Sequence, residues 1–105
     1  MADAYKVLYQ GELPTTAAAL YTVPSLTEAI IKHIDVVCTE ADSVSLFVGG
    51  VSIQTNIILP TVDMLINEFA QWDGTLVLEA AQTIGGVAGS SITSITVTIY
   101  GDEVS

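Results

Sequence analysis

Apolar and polar residues alternate with a period of two along most of this chain, the signature of strands that bury one face. The clearest case is SITSITVTIYG near the end, where Ile95, Val97 and Ile99 oppose Thr96, Thr98 and Tyr100. In SVSLFVGG, Val44, Leu46 and Val48 oppose Ser45 and Phe47. In VSIQTNIIL, Val51, Ile53, Thr55 and Ile57 oppose Ser52, Gln54 and Asn56. Gly49-Gly50 between these two runs has the length and composition of a hairpin turn, which predicts adjacent antiparallel strands. The opening run YKVLYQGE sets Tyr5, Val7 and Tyr9 against Lys6, Leu8 and Gln10, and is followed by Pro14 and small residues.

Two segments strain the pattern. ALYTVP ends at Pro24-Ser25, which breaks the run before the longer segment Glu28 to Cys38. There Ile30, Ile34, Val36 and Cys38 share a face with Lys32, so either a bulge shifts the register or the lysine stem lies at a sheet margin with its ammonium in water. TVDMLINEFAQWDG reads two ways. Val62, Leu65, Ile66, Phe69 and Trp72 fit a helical stripe, whereas Val62, Met64, Ile66, Ala70 and Trp72 fit a strand interrupted by Glu68; the strand is preferred. Beyond it the pattern predicts a turn at Asp73-Gly74, a short strand TLVLE, a connection at Ala80-Ala81, and a glycine-rich strand QTIGGVA ended by Gly89-Ser90-Ser91.

Eight to nine short strands at this spacing predict an all-β fold, an antiparallel β-sandwich with jelly-roll-like connections. At 105 residues the chain has room for one core, so residues 1–105 are expected to form a single domain, with residues 1–4 as a loose N-terminal arm. Half the residues are apolar and 13% charged, which supports folding rather than disorder.

Twelve acidic residues face only Lys6 and Lys32, a formal charge of −10 that repels a phosphate backbone and argues against nucleic-acid binding. The acids are scattered from Asp3 to Glu103, as on a solvated surface. The uncharged runs Ser43 to Val62 and Ala80 to Gly101 are interrupted by Ser, Thr, Gln, Asn and Gly, so no membrane span is expected. The start MADAYKVLYQ lacks the parts of a secretory signal, which points to synthesis in a cytoplasm.

Residues able to do chemistry are scarce. The single histidine, His33, and the single cysteine, Cys38, lie five positions apart, so on a regular strand they point to opposite faces and make a poor nucleophile pair. No Gly-x-Ser-x-Gly elbow and no phosphate-binding glycine loop occurs. Glu28, Asp35 and Glu79 are the acids considered for a hydrolytic pair, and Glu40 with Asp42 for calcium, but neither set has a dedicated spacing. The expectation is therefore no catalytic residue, no metal ligand and no cofactor. Phe47 and Tyr100, placed with the polar faces of their strands, are the candidates for contact with a partner.

The segments LYTVPSLTEAIIKHIDVVCT, VSLFVGG, WDGTLVLEAAQTI and SITVTIYGDEV together resemble small virion proteins of tailed bacteriophages, from about Leu20 to Val104. Members of that group carry Leu-Val-Leu-Glu-Ala-Gly-Asp-Thr-Ile-like segments, and this chain departs from them at Ala81-Gln82, where Gly-Asp is usual, and at Asp102. The resemblance implies a β-sandwich on the outer capsid surface of a virion. It is most like a head decoration, or cement, protein that binds the major capsid protein as a homo-oligomer, a trimer being expected. Residues Met1, Ala2, Asp3 and Ala4 are then expected to order on docking. The alternative under the same resemblance is a tail, neck or fibre accessory protein that binds protein or glycan.

Overall fold

The structure is a computed structural model that describes residues 3–49, 57–89 and 95–104. Among these residues it is all-β: β1 (Asp3–Glu12), β2 (Ala18–Thr22), β3 (Glu28–Cys38), β4 (Asp42–Val48), β5 (Ile57–Met64), β6 (Phe69–Leu78), β7 (Thr83–Ala88) and β8 (Ile95–Val104). They form two four-stranded antiparallel sheets, ordered β1-β8-β3-β6 and β2-β7-β4-β5. The chain is thus a nested ribbon in which β1 pairs β8, β2 pairs β7, β3 pairs β6 and β4 pairs β5. Rolling that ribbon brings β3 beside β8 and β4 beside β7, which closes each sheet and gives the jelly roll that the strand pattern predicts.

The core lies between the sheets, where Leu13, Val23, Ile31, Ile34, Val36, Leu46, Ile84, Ile95, Val97 and Ile99 are buried. Full burial of each such side chain is worth roughly 1.5–3 kcal/mol. Cys38 belongs to this core as a small apolar residue, its thiol donating to Glu40 O at 2.6 Å.

Strict alternation fails where the sheets bulge. In β3 the pairs Ile31↔Gly101 and His33↔Tyr100 leave Lys32 as an extra residue, so a bulge, not a sheet margin, accommodates the lysine. The bulge also swaps faces: Ala29 and Ile31 are buried before it, Ile34, Val36 and Cys38 after it, while Ile30 turns partly outward. The same row contains an extra Leu8 in β1, between Val7↔Tyr100 and Tyr9↔Ile99. In β6 it contains Gly74-Thr75 opposite the single Lys32. The aligned irregularities form a bend line across the sheet.

Asp73-Gly74 is therefore not a turn but part of this line within the continuous strand β6, with Gly74 lying under the Trp72 indole. The turn sits earlier, at Leu65–Glu68. There Asn67 has φ 62°, Glu68 N–H donates to Leu65 O at 3.2 Å, and the Glu68 carboxylate accepts from Leu65 N–H. This explains the ambiguity of TVDMLINEFAQWDG: two of its apolar residues belong to a turn and to neither a strand nor a helix. Residues 79–82 repeat the design, with Ala81 at φ 72° and Gln82 Oε1 accepting from Glu79 N–H at 2.7 Å. β4 and β5 are antiparallel as expected, but β5 is described only from Ile57, so residues 51–56 and most of the Gly49-Gly50 turn lie outside the described residues. Pro60 falls where the β4–β5 register shifts in an edge strand, which tolerates a missing donor.

Candidate functional site

Sequence-predicted contact residues separate into three groups. Met1 and Ala2 lie outside the described residues, whereas Asp3 and Ala4 pair with Val104 and Glu103, so β1 already begins where a loose arm was expected. Phe47 is a correction: it points away from Leu46 and the main core cluster, yet it is fully buried. Its ring lies over its cross-strand partner Gly85, where a Cβ would come within 2.5 Å of Phe47 Cε2. Phe47 therefore fills space inside the protein and offers no surface to a partner. Tyr100 stays on the outward face of the β1-β8-β3-β6 sheet, half-buried.

Beside Tyr100 the register assembles the molecule's one imidazole–carboxylate cluster. His33 pairs with Tyr100 on one side and Asp73 on the other, all pointing outward in the bend row. His33 Nδ1 contacts Asp73 Oδ1, Nε2 lies 2.5 Å from Asp35 Oδ1, and the ring is tilted against Tyr100 with centroids 5.6 Å apart. Hydrogen bonds that the ring donates to the two carboxylates, Asp73 foremost, hold the imidazole above its ordinary pKa, so it favours the charged form. Cys38 lies on the opposite face of the same strand. Among the described residues, no group of three His, Cys, Asp or Glu side chains could hold a metal ion. The pairing with Asp73 is invisible to sequence spacing, since the two residues lie forty positions apart.

A second polar cluster ties the sheets together at the β8 end. Lys6 Nζ lies 2.6 Å from Glu103 Oε1, and the Tyr21 hydroxyl, from the other sheet, donates to Glu103 Oε2 at 2.6 Å. Lys6, then Tyr21, hold the Glu103 carboxyl below its usual range, and burial followed by the hydrogen bond to Glu103 pushes the Tyr21 hydroxyl well above its own. The cluster acts as a structural bolt, since the one carboxylate is held by a residue from each sheet. A cleft of about 270 Å³ between β4 and β7 is lined by Thr15, Ser43, Ser45, Val87 and neighbouring small residues, with no titratable side chain among them.

What sequence reasoning missed is an apolar tip. Leu65, Ile66 and Phe69 are 66%, 62% and 71% exposed, and Val37, the register partner of Phe69, is 46% exposed. These are four of the seven large apolar side chains exposed among the described residues. They gather on the β5–β6 turn and the adjoining corner of the β1-β8-β3-β6 sheet.

The chain matches no protein-family model, and no characterised protein matches it in sequence. Its fold, by contrast, matches that of the tobacco streak virus coat protein with a TM-score of 0.53 at 11% identity, over 98% of this chain and 85% of that one. It also matches a chain of the virus-like particle of the extra small virus of the giant freshwater prawn Macrobrachium rosenbergii. That TM-score is 0.54 at 12% identity, over 98% of this chain and 79% of that one. The protein therefore shares its eight-stranded jelly roll, over nearly its whole length, with proteins of viral particles.

Proposed function

We propose that this protein is a virion structural protein, a decoration protein that binds the outer surface of an assembled bacteriophage head and stabilises it by bridging capsid subunits. The observation that carries this reading is the viral-particle jelly roll on a chain with a formal charge of −10. A coat protein lining a packaged genome would bring that charge against phosphates, whereas on the outside it keeps particles dispersed.

The role is binding, not catalysis. The imidazole of the His33 cluster is held between two carboxylates and a tyrosine ring, and its partners among the described residues include no serine or cysteine that it would activate. A glycan-binding tail or fibre role is less well supported, because Phe69 and Tyr100 occupy different rows of the sheet and do not form an aromatic platform. The protein acts as a homo-oligomer, a trimer by this reading, each copy burying on the order of 800 Å² against the major capsid protein. Because it prefers the assembled shell, it shifts the equilibrium toward assembly by mass action.

The test is to mix purified protein with heads of the parent phage that lack it. Saturable co-sedimentation, with a higher temperature of head disruption, is the expected result. Binding to isolated tails and none to heads would transfer the protein to the tail or neck.

A further inference from the structure

We propose that the exposed tip formed by Val37, Leu65, Ile66 and Phe69 is the surface that docks on the shell, and that it inserts into an apolar pocket rimmed by lysine or arginine on a capsid subunit. This rests on the decoration reading and adds to it the docking residues and the chemistry of the partner.

Two observations support it. First, exposure of large apolar side chains is concentrated here: Phe69 and Val37 face outward as a cross-strand pair, and Leu65 and Ile66 stand on the turn immediately before Phe69. The turn is held in shape by the Glu68 backbone and side-chain bonds to Leu65 and by Cys38 N–H donating to Glu68 O at 2.8 Å. Little ordering is then needed on binding, which favours affinity.

Second, the charged rim is of one sign. Glu12 lies in the same cross-strand row as Val37 and Phe69, Asp63 and Glu68 flank the turn, and Glu40 follows Cys38; all four are exposed. Neither lysine shares this corner, since Lys32 stands five positions back along β3 and Lys6 pairs across β8 with Gly101. A second copy meeting tip to tip would press acidic rim against acidic rim, and an anionic lipid surface would be repelled likewise. An apolar pocket with a basic rim satisfies both features at once.

The test measures affinity of the full-length protein for protein-free heads. Wild type is compared with Ile66→Ser/Phe69→Ser, with Glu12→Lys/Glu40→Lys, and with Val77→Ser, an exposed apolar position elsewhere on the sheet. The double serine variant is expected to bind at least about 30-fold more weakly, as for loss of an aromatic anchor. The charge variant should bind several-fold more weakly with a flatter salt dependence, and Val77→Ser within about twofold of wild type. The charge variant keeps the test valid if the serine variant folds poorly. Wild-type affinity in both double variants overturns the tip while leaving the decoration role intact. Loss of self-association in the serine variant reassigns the tip to a second copy and overturns the proposal. Failure of wild type to bind any head overturns both.

Discussion

Ala81→Gly should stabilise the protein. Ala81 sits at φ 72° at the third position of the turn from Glu79 to Gln82, a left-handed conformation that glycine adopts without steric cost. A Cβ in that region costs roughly 1–2 kcal/mol. Ala81 is exposed, so removing its methyl group forfeits little packing. Against the gain stands the extra freedom of glycine in the unfolded chain, about 0.5–1 kcal/mol. The net gain is about 0.5–1 kcal/mol, which for 105 residues raises the unfolding midpoint by about 2–5 °C. Thermal and denaturant unfolding should be compared with Ala80→Gly, where the neighbouring residue lacks a positive φ and glycine brings only the entropy cost. If Ala81→Gly lowers the midpoint, or moves it as Ala80→Gly does, the strain argument is refuted.

Gly101→Ala should destabilise by about 2–3 kcal/mol in denaturant titration, since a Cβ there would lie 3.1 Å from Ile31 Cα and closer still to the Ile30 carbonyl oxygen, backbone that no rotamer change can move. Tyr21→Phe should cost about 1–2 kcal/mol by removing a charge-assisted hydrogen bond to Glu103, again read from the denaturant midpoint. For pH, His33 has a folded pKa raised by Asp73 and Asp35, so its stabilisation is present below the unfolded value of about 6.5 and fades as pH rises through the raised folded value. The stability difference between wild type and His33→Gln should shrink across that window; a difference independent of pH would contradict the cluster. Glu103 has the opposite sign, its contribution being present above the ordinary carboxylate pKa and lost as pH falls through its lowered value, which Glu103→Gln should reveal below pH 5.

Alternation in the sequence was sufficient for the fold class, because Val44 and Leu46 in β4 and Ile95, Val97 and Ile99 in β8 face the core as their period-two spacing predicts, even though Ser45, Phe47 and Thr98 beside them are buried as well. It was insufficient where a bulge changes face. Lys32 signalled one such place by its charge, but nothing in Leu8 or Gly74-Thr75 announces an extra residue, and the bend row exists only once four strands are aligned. Phe47 was misplaced for a related reason. Position on the polar face of β4 suggested exposure, yet the glycine opposite it makes room for a ring to pack down on the sheet. The outward cluster around His33 needed the β3–β6 register, and the apolar tip needed the knowledge that Leu65 and Ile66 lie in a turn. Such non-local pairings are set by tertiary closure of the ribbon, not by local pattern.

The central proposal is that a chain with this jelly roll and a formal charge of −10 sits on the outside of a virion head and touches capsid subunits through its β5–β6 corner. Cryo-electron microscopy of the parent virion tests this directly, by fitting the domain into the outer density. Copies are expected on the head exterior, around its symmetry axes, with Phe69 and Ile66 against the shell. Density for this domain only at the neck or tail would contradict it.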